Sequence, residues 1–268
     1  MSTEVPFFSQ TAVLERYIRS SNPAENSAAL ALIVEVLRTK PDLRRWFFVN
    51  RPHPRWAEIL LQHGFLDEAP KPVATKRGFL LPRWDVQDYL LLVASEVPDV
   101  VLAHFDRIRT NRNYLPGAVL ALSLIPMTQA AQAVPKLLEC LTDSAIAFTI
   151  AEQTFVLMKE LAQGGYADSA FALAEALTYP QPSPRAKRSE AEILENYVFN
   201  AEAISFLPTD EYQESHLWKP GLEALAKLDL RRLAALLERQ FVQALLVEEE
   251  TKGQSGGKLG HSFWRIAV

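Results

Sequence analysis

Apolar residues return every three or four positions along most of this chain, the period of an amphipathic helix. Ala28, Leu32, Val36 and Leu37 mark one face of a predicted helix, with Asn22 or Ser21 as candidate cap and Pro41 after its end. Trp56, Ile59, Leu60 and His63 mark another, and Gly64 is placed to stop it. No series of alternating Val, Ile and Thr runs separated by hairpin turns is found, so strands are not expected to dominate. Between Glu68 and Pro82, Pro70, Pro72, Pro82 and Gly78 break helical propagation, which predicts a loop with a short extended piece at Phe79-Leu80-Leu81. Asp85 to Val97 is helical again, with Tyr89, Leu92 and Val93 on one face. Pro98 suits the first turn of the next helix, Asp99 to Arg109, which carries Val101, Leu102, Phe105 and Ile108.

Leu115, Val119 and Leu122 predict a helix over Asn113 to Ile125 that Pro126 ends. Met127 to Gln132 reads as a turn or ragged short helix. Ala133-Val134-Pro135 then leads into Leu137-Leu138 and the acidic stop at Asp143, and a long helix follows from Ser144 to Gln163. This succession, over roughly Asn113 to Gln163, resembles a HEAT/armadillo-like helical repeat. The sequence departs from that pattern after Asp143, where Ala145, Ile146 and Ala147 stand in place of the arginine common near the start of the second helix. With Phe148, Ile150, Phe155, Leu157, Met158 and Leu161, the long helix is apolar nearly all round, so it is expected to be buried near the centre of the stack. Further helices are predicted over Ala167 to Leu177, Arg188 to Ser205, Glu211 to Leu225 and Leu228 to Glu248. The fold class expected is all-α, with stacked antiparallel helix pairs in a HEAT/ARM-like α-solenoid. An irregular helical bundle is the alternative.

Proline and glycine place the expected boundaries. Amino-terminal helices occupy residues 1–66 and a Pro-rich loop 67–83. HEAT-like helix pairs follow over 84–179, and Pro180, Pro182 and Pro184 make a connector of 180–187. Carboxy-terminal helices cover 188–248. A glycine-rich linker and an apolar tail, with Phe263, Trp264, Ile266 and Val268, fill 249–268, which reads either as a tail packed back on the helices or as the start of a further domain. The stretch Pro54-Arg55-Trp56, Leu60 to Asp67, Gly78, Pro82-Arg83-Trp84 and Tyr89-Leu90 resembles the amino-terminal helical modules of large uncharacterised bacterial proteins. That likeness implies a helical module ahead of other domains and no specific chemistry.

Composition narrows the function classes. Hydrophobic residues at 49% and charged residues at 22% can support a packed core, which argues against disorder for the bulk of the chain. A net charge of −4 gives no overall pull toward nucleic acid or anionic lipid. One cysteine, Cys140 on an apolar helix face, precludes an intramolecular disulfide. The first residues have neither a basic region nor an apolar core, and a cytoplasmic setting without a membrane span is expected.

No candidate chemistry survives its plainer explanation. His53, His63, His104, His216 and His261 fall in no metal-ligand spacing, and His63 and His104 read as surface or half-buried helix residues. Lys252 to Lys258 has the glycines of a phosphate loop without its spacing, strand or helix. Gly164-Gly165 reads as a helix end. No cofactor, metal or catalytic set is therefore expected. Arg107, Arg109 and Arg112 are the candidate partner or phosphate contacts, against the plainer reading that arginines sit well at a helix C-terminus. Arg185, Lys187 and Arg188 form a second basic group. Arg51, His53 and Arg55, near Trp46 and Trp56, form a third. The expected function is a non-catalytic scaffold that binds a protein partner or downstream domains of its own chain, with nucleic-acid binding along a basic groove as the alternative.

Overall fold

The computed structural model describes residues 7–75, 78–178 and 211–239, and these are predominantly helical. The chain divides into two compact units, Met1–Gln129 and Ala130–Val268. In the first, α1 (Phe7–Ile18), α2 (Ser27–Thr39), α3 (Pro41–Val49) and α4 (Trp56–Gln62) precede a small antiparallel hairpin. The hairpin pairs β1 (Val73–Thr75) with β2 (Gly78–Leu80), Val73 opposite Leu80 and Thr75 opposite Gly78. Then come α5 (Asp85–Val93), a 3-10 turn (Ala94–Glu96), α6 (Pro98–Ile108) and α7 (Leu115–Leu122). Helix α3 packs on α1, α2 and α5, while α6 packs on α4 and α7.

Local chemistry accounts for most boundaries. Asn26, and neither Asn22 nor Ser21, caps α2: its side chain accepts from Ala29 N at 3.0 Å, satisfying one of the free donors of the first turn. Pro41 does not merely follow α2; it opens α3, where the missing N–H costs nothing. Gly64 stops α4 at φ +77, and Pro98 opens α6. The loop expected over Glu68 to Pro82 contains the hairpin, of which only the second strand overlaps the extended piece predicted.

Helix α8 (Met127–Leu141) differs from expectation. Ala133-Val134-Pro135 lies inside one continuous helix that starts directly after Pro126. Pro135 is exposed, so the carbonyl it leaves without a helical partner faces a wet surface, while Ala130, Ala133, Val134, Leu137 and Leu141 bury the opposite stripe.

The second unit is organised around α9 (Ser144–Gln163), against which α10 (Ala167–Thr178) and α11 (Glu211–Leu228) pack. Asp143 caps α9 by accepting from Ala145 N and Ile146 N, and Gly164 and Gly165 end it. Ile150, Thr154, Leu157, Met158 and Leu161 are fully enclosed, one continuous face at helical spacing. The burial is one-sided, not all round as expected: Glu152 and Phe148 are exposed. A Cβ on Gly221 would come within 2.5 Å of Met158 Cε, so that glycine lets α11 sit close on α9. A last helical stretch covers 230–239. The predicted helix over Arg188 to Ser205, the proline connector, the tail after residue 249 and the far end of the Leu228–Glu248 helix lie outside the described residues.

Candidate functional site

The arginines singled out from sequence stand around the turn between α6 and α7. Arg107, in the last turn of α6, reaches across to α4: its guanidinium donates to the Leu61 carbonyl at 3.3 Å and to Asp67 Oδ1 at 2.6 Å. Arg38 of α2 approaches the same helix end, donating to the His63 carbonyl while its guanidinium lies 5.4 Å from the Phe65 ring centre. A helix C-terminus exposes unpaired carbonyls and partial negative charge, so two cations there complete α4. Arg109 caps α6 and Arg112 follows in the loop; both are half-buried and each has an interaction within the chain. Arg107 is thus held by its own protein.

The third basic group is built into the fold as well. Arg51 sits just past α3 at φ +51, the left-handed conformation that ends helices. His53 N donates to the Ile18 carbonyl at 2.8 Å, and Trp56 Nε1 donates to the Tyr17 carbonyl at 3.2 Å, so this segment satisfies the end of α1. Trp56 is fully buried, edge-on to Phe47 at 5.1 Å, and offers no face for a base to stack on. Arg55 pairs with Glu58. Arg185, Lys187 and Arg188 lie outside the described residues.

Sequence reasoning missed a polar centre inside the first unit. His104, expected at the surface or half-buried, is fully enclosed, and Gln87 of α5 is buried beside it. His104 Nδ1 lies 3.2 Å from the Leu66 carbonyl and Nε2 lies 3.2 Å from Gln87 Nε2. A carbonyl only accepts, so Nδ1 carries the proton and Nε2 accepts from the Gln87 amide. The amide's second N–H goes to the Tyr114 carbonyl at 2.8 Å. Tyr114 donates its hydroxyl to the Pro82 carbonyl at 2.6 Å, and Trp84 stands edge-on to both rings.

Burial pushes the His104 pKa down to about 4, partly offset by the Leu66 bond and by Asp67. The imidazole is therefore neutral, with both nitrogens engaged and no route to solvent, and it serves as a tie between α5, α6 and the Leu66 strand of chain. A Cβ on Gly117 would lie 2.6 Å from the Gln87 carboxamide, so the glycine leaves room for this arrangement. A single sequence offered no signal for it, because a lone His and a lone Gln 17 residues apart have no motif.

Cys140 is buried on α8, and His53 and His63 are half-buried. His261 and the His216 side chain lie outside the described residues. Among the described residues no group of three or more His, Cys, Asp or Glu side chains could hold a metal ion, and no helix is long and apolar enough to cross a membrane.

The hairpin presents the contrasting surface. Val73, Phe79, Leu80 and Leu81 are 52%, 50%, 60% and 41% exposed, and both faces of both strands are open apart from a half-buried Gly78. Four large exposed apolar side chains within nine residues make a candidate contact surface. Comparison with known proteins returned no match: no family model fits the chain, and no curated protein or solved structure is similar to it.

Proposed function

We propose that this chain is a non-catalytic, helical-repeat scaffold of the HEAT/armadillo kind, working through protein–protein or interdomain contact in the cytoplasm. The observation that carries the reading is the hairpin: exposed Val73, Phe79, Leu80 and Leu81 stand on a helical unit whose own polar groups are tied to one another. Short links between successive helices that pack on each other support the repeat reading, as where Lys40 alone separates α2 from α3. A single cysteine, the buried Cys140, suits a reducing compartment.

A photo-crosslinker placed at Leu80 in cells tests the function. The expected result is a discrete adduct, to another protein or to a remote peptide of the same chain, that disappears when Phe79 is changed to Ser. A crosslinker at the exposed Glu152 gives the background. Adducts no different from that background would overturn the reading. Salt-dependent binding to duplex or single-stranded DNA, weakened by Arg109→Ala and Arg112→Ala, would replace it with nucleic-acid binding.

A further inference from the structure

We propose that the free edge of β2 receives an extended, acidic and apolar segment of a partner protein as a third strand. This rests on the interaction reading above and supplies the chemistry of the contact. Two residues separate the paired Thr75 and Gly78, so that pair closes the turn with mutual hydrogen bonds. In an antiparallel ladder the next pair, Ala74 and Phe79, then directs its N–H and C=O groups outward.

Outward positions recur every second residue. On the β1 side they are Ala74 and Pro72, and Pro72 has no N–H to give. On the β2 side they are Phe79 and Leu81, both with N–H groups. The edge of β1 is therefore blunted and that of β2 is receptive. A two-stranded hairpin is marginal alone, so a third strand would also consolidate it.

Charge indicates which segment fits. From Ala69 to Arg83 the chain has Lys71, Lys76, Arg77 and Arg83 and no acidic residue, in a protein of net charge −4. Arg83 is paired with Asp85 and Asp88, and by sequence Lys71, Lys76 and Arg77 carry the rest of the positive charge of the stretch. An acidic segment is attracted here, and apolar residues between its carboxylates meet Phe79 and Leu80. An anionic membrane would satisfy the charge and the apolar side chains but would leave the edge N–H groups without acceptors in hydrocarbon. Strand addition supplies those acceptors. Pro72 and Pro82 bracket the ladder, so the added strand is short and the contact readily reversible.

The test is fluorescence anisotropy of the full chain with a labelled peptide of alternating glutamate and valine, beside one of alternating lysine and valine. The glutamate peptide is expected to bind saturably, at least about tenfold more tightly than the lysine peptide, and to weaken with salt. Leu81→Pro, which removes an edge N–H, is expected to weaken binding about tenfold, whereas Leu81→Ala, which keeps it, changes binding less than about threefold. Circular dichroism and thermal melting verify that both variants fold, and Leu81 lies outside the helical core.

No binding of the glutamate peptide, or equal binding by folded Leu81→Pro, would overturn strand addition. Flotation with phosphatidylserine-containing vesicles that the glutamate peptide does not compete away would also overturn it, in favour of a lipid surface. A failed titration alongside a positive Leu80 crosslink removes only strand addition, while failure of both removes the interaction reading too.

Discussion

In the first unit, none of α1 to α7 exceeds the 13 residues of α2, whereas the second is organised around the 20-residue α9. Every helix leaves about four N–H and four C=O groups without internal partners, so a set of short helices has more unmet main-chain groups per residue than one long helix. The first unit meets them with side chains from distant helices. At the ends of α1 and α4, Trp56 serves the Tyr17 carbonyl, Arg107 that of Leu61 and Arg38 that of His63, while Gln87 and Tyr89 add further ties to the Tyr114 and His53 carbonyls. In the second unit Asp143 and Gly164 finish α9 locally, and its contacts with α10 and α11 rest on enclosed apolar groups such as Leu157, Met158 and Leu161. Both units enclose apolar side chains, such as Phe47, Trp56 and Phe105 in the first; the first adds directional polar ties between distant segments, and the second relies on packed volume around one long helix.

The largest expected effect tests volume in the second unit. Phe171 is fully buried on α10, with the Arg232 guanidinium 4.5 Å above its ring. Phe171→Ala is expected to cost about 4 kcal/mol, from lost burial and the cavity left behind. Denaturant-dependent amide exchange, followed peptide by peptide, should place that loss in residues 130–239. A loss below about 1 kcal/mol would break the comparison.

The next effect tests the polar ties through pH. His104 has its folded pKa lowered to about 4, mainly by burial, against an ordinary value of 6.5. Its stabilising contribution is full above pH 6.5, where neither state is protonated. As pH falls through the window from about 6.5 to about 4, the unfolded chain binds a proton that the folded one refuses, and stability drops by roughly 3 kcal/mol in total. Below that window the effect is complete. Urea denaturation across this range should show the fall in peptides of the first unit, and His104→Leu should flatten it there. An unchanged slope in that variant would assign the pH dependence to other groups.

The smallest effect concerns the surface of the second unit. Arg232 pairs with Asp168 at 2.7 Å and Arg239 with Glu175 at 3.2 Å, two rungs seven residues apart on each helix. Both pairs are substantially exposed, so Arg239→Ala should cost no more than about 0.5 kcal/mol and lose even that in high salt. A cost several times larger would mean that ion pairing, as well as volume, holds this unit.

The helices with strong local punctuation were legible. Pro98 opening α6, Gly64 closing α4, and the run from Ser144 to Gln163 are where residue chemistry predicts them. Helices α1 and α3 went unpredicted, and a turn or ragged short helix over Met127 to Gln132, ahead of Pro135, is expected where α8 runs on unbroken. An exposed proline costs a helix one hydrogen bond, and the buried stripe of α8 outweighs that cost once neighbours cover it. The candidate arginines were found by charge, but what Arg107 does was not, because its partners lie 40 and 46 residues back in the chain.

The sequence by itself determined the helical class, through apolar spacing and through capping groups that act within one turn of their own position. It also determined that residues 67–83 would interrupt the helices, since proline and glycine act on their own backbone. Tertiary structure alone decided that Arg107 completes the end of α4, that His104 is enclosed and neutral, and that the apolar hairpin remains in water. Burial and long-range hydrogen bonding are properties of what surrounds a residue, and those surroundings come from segments tens of positions away.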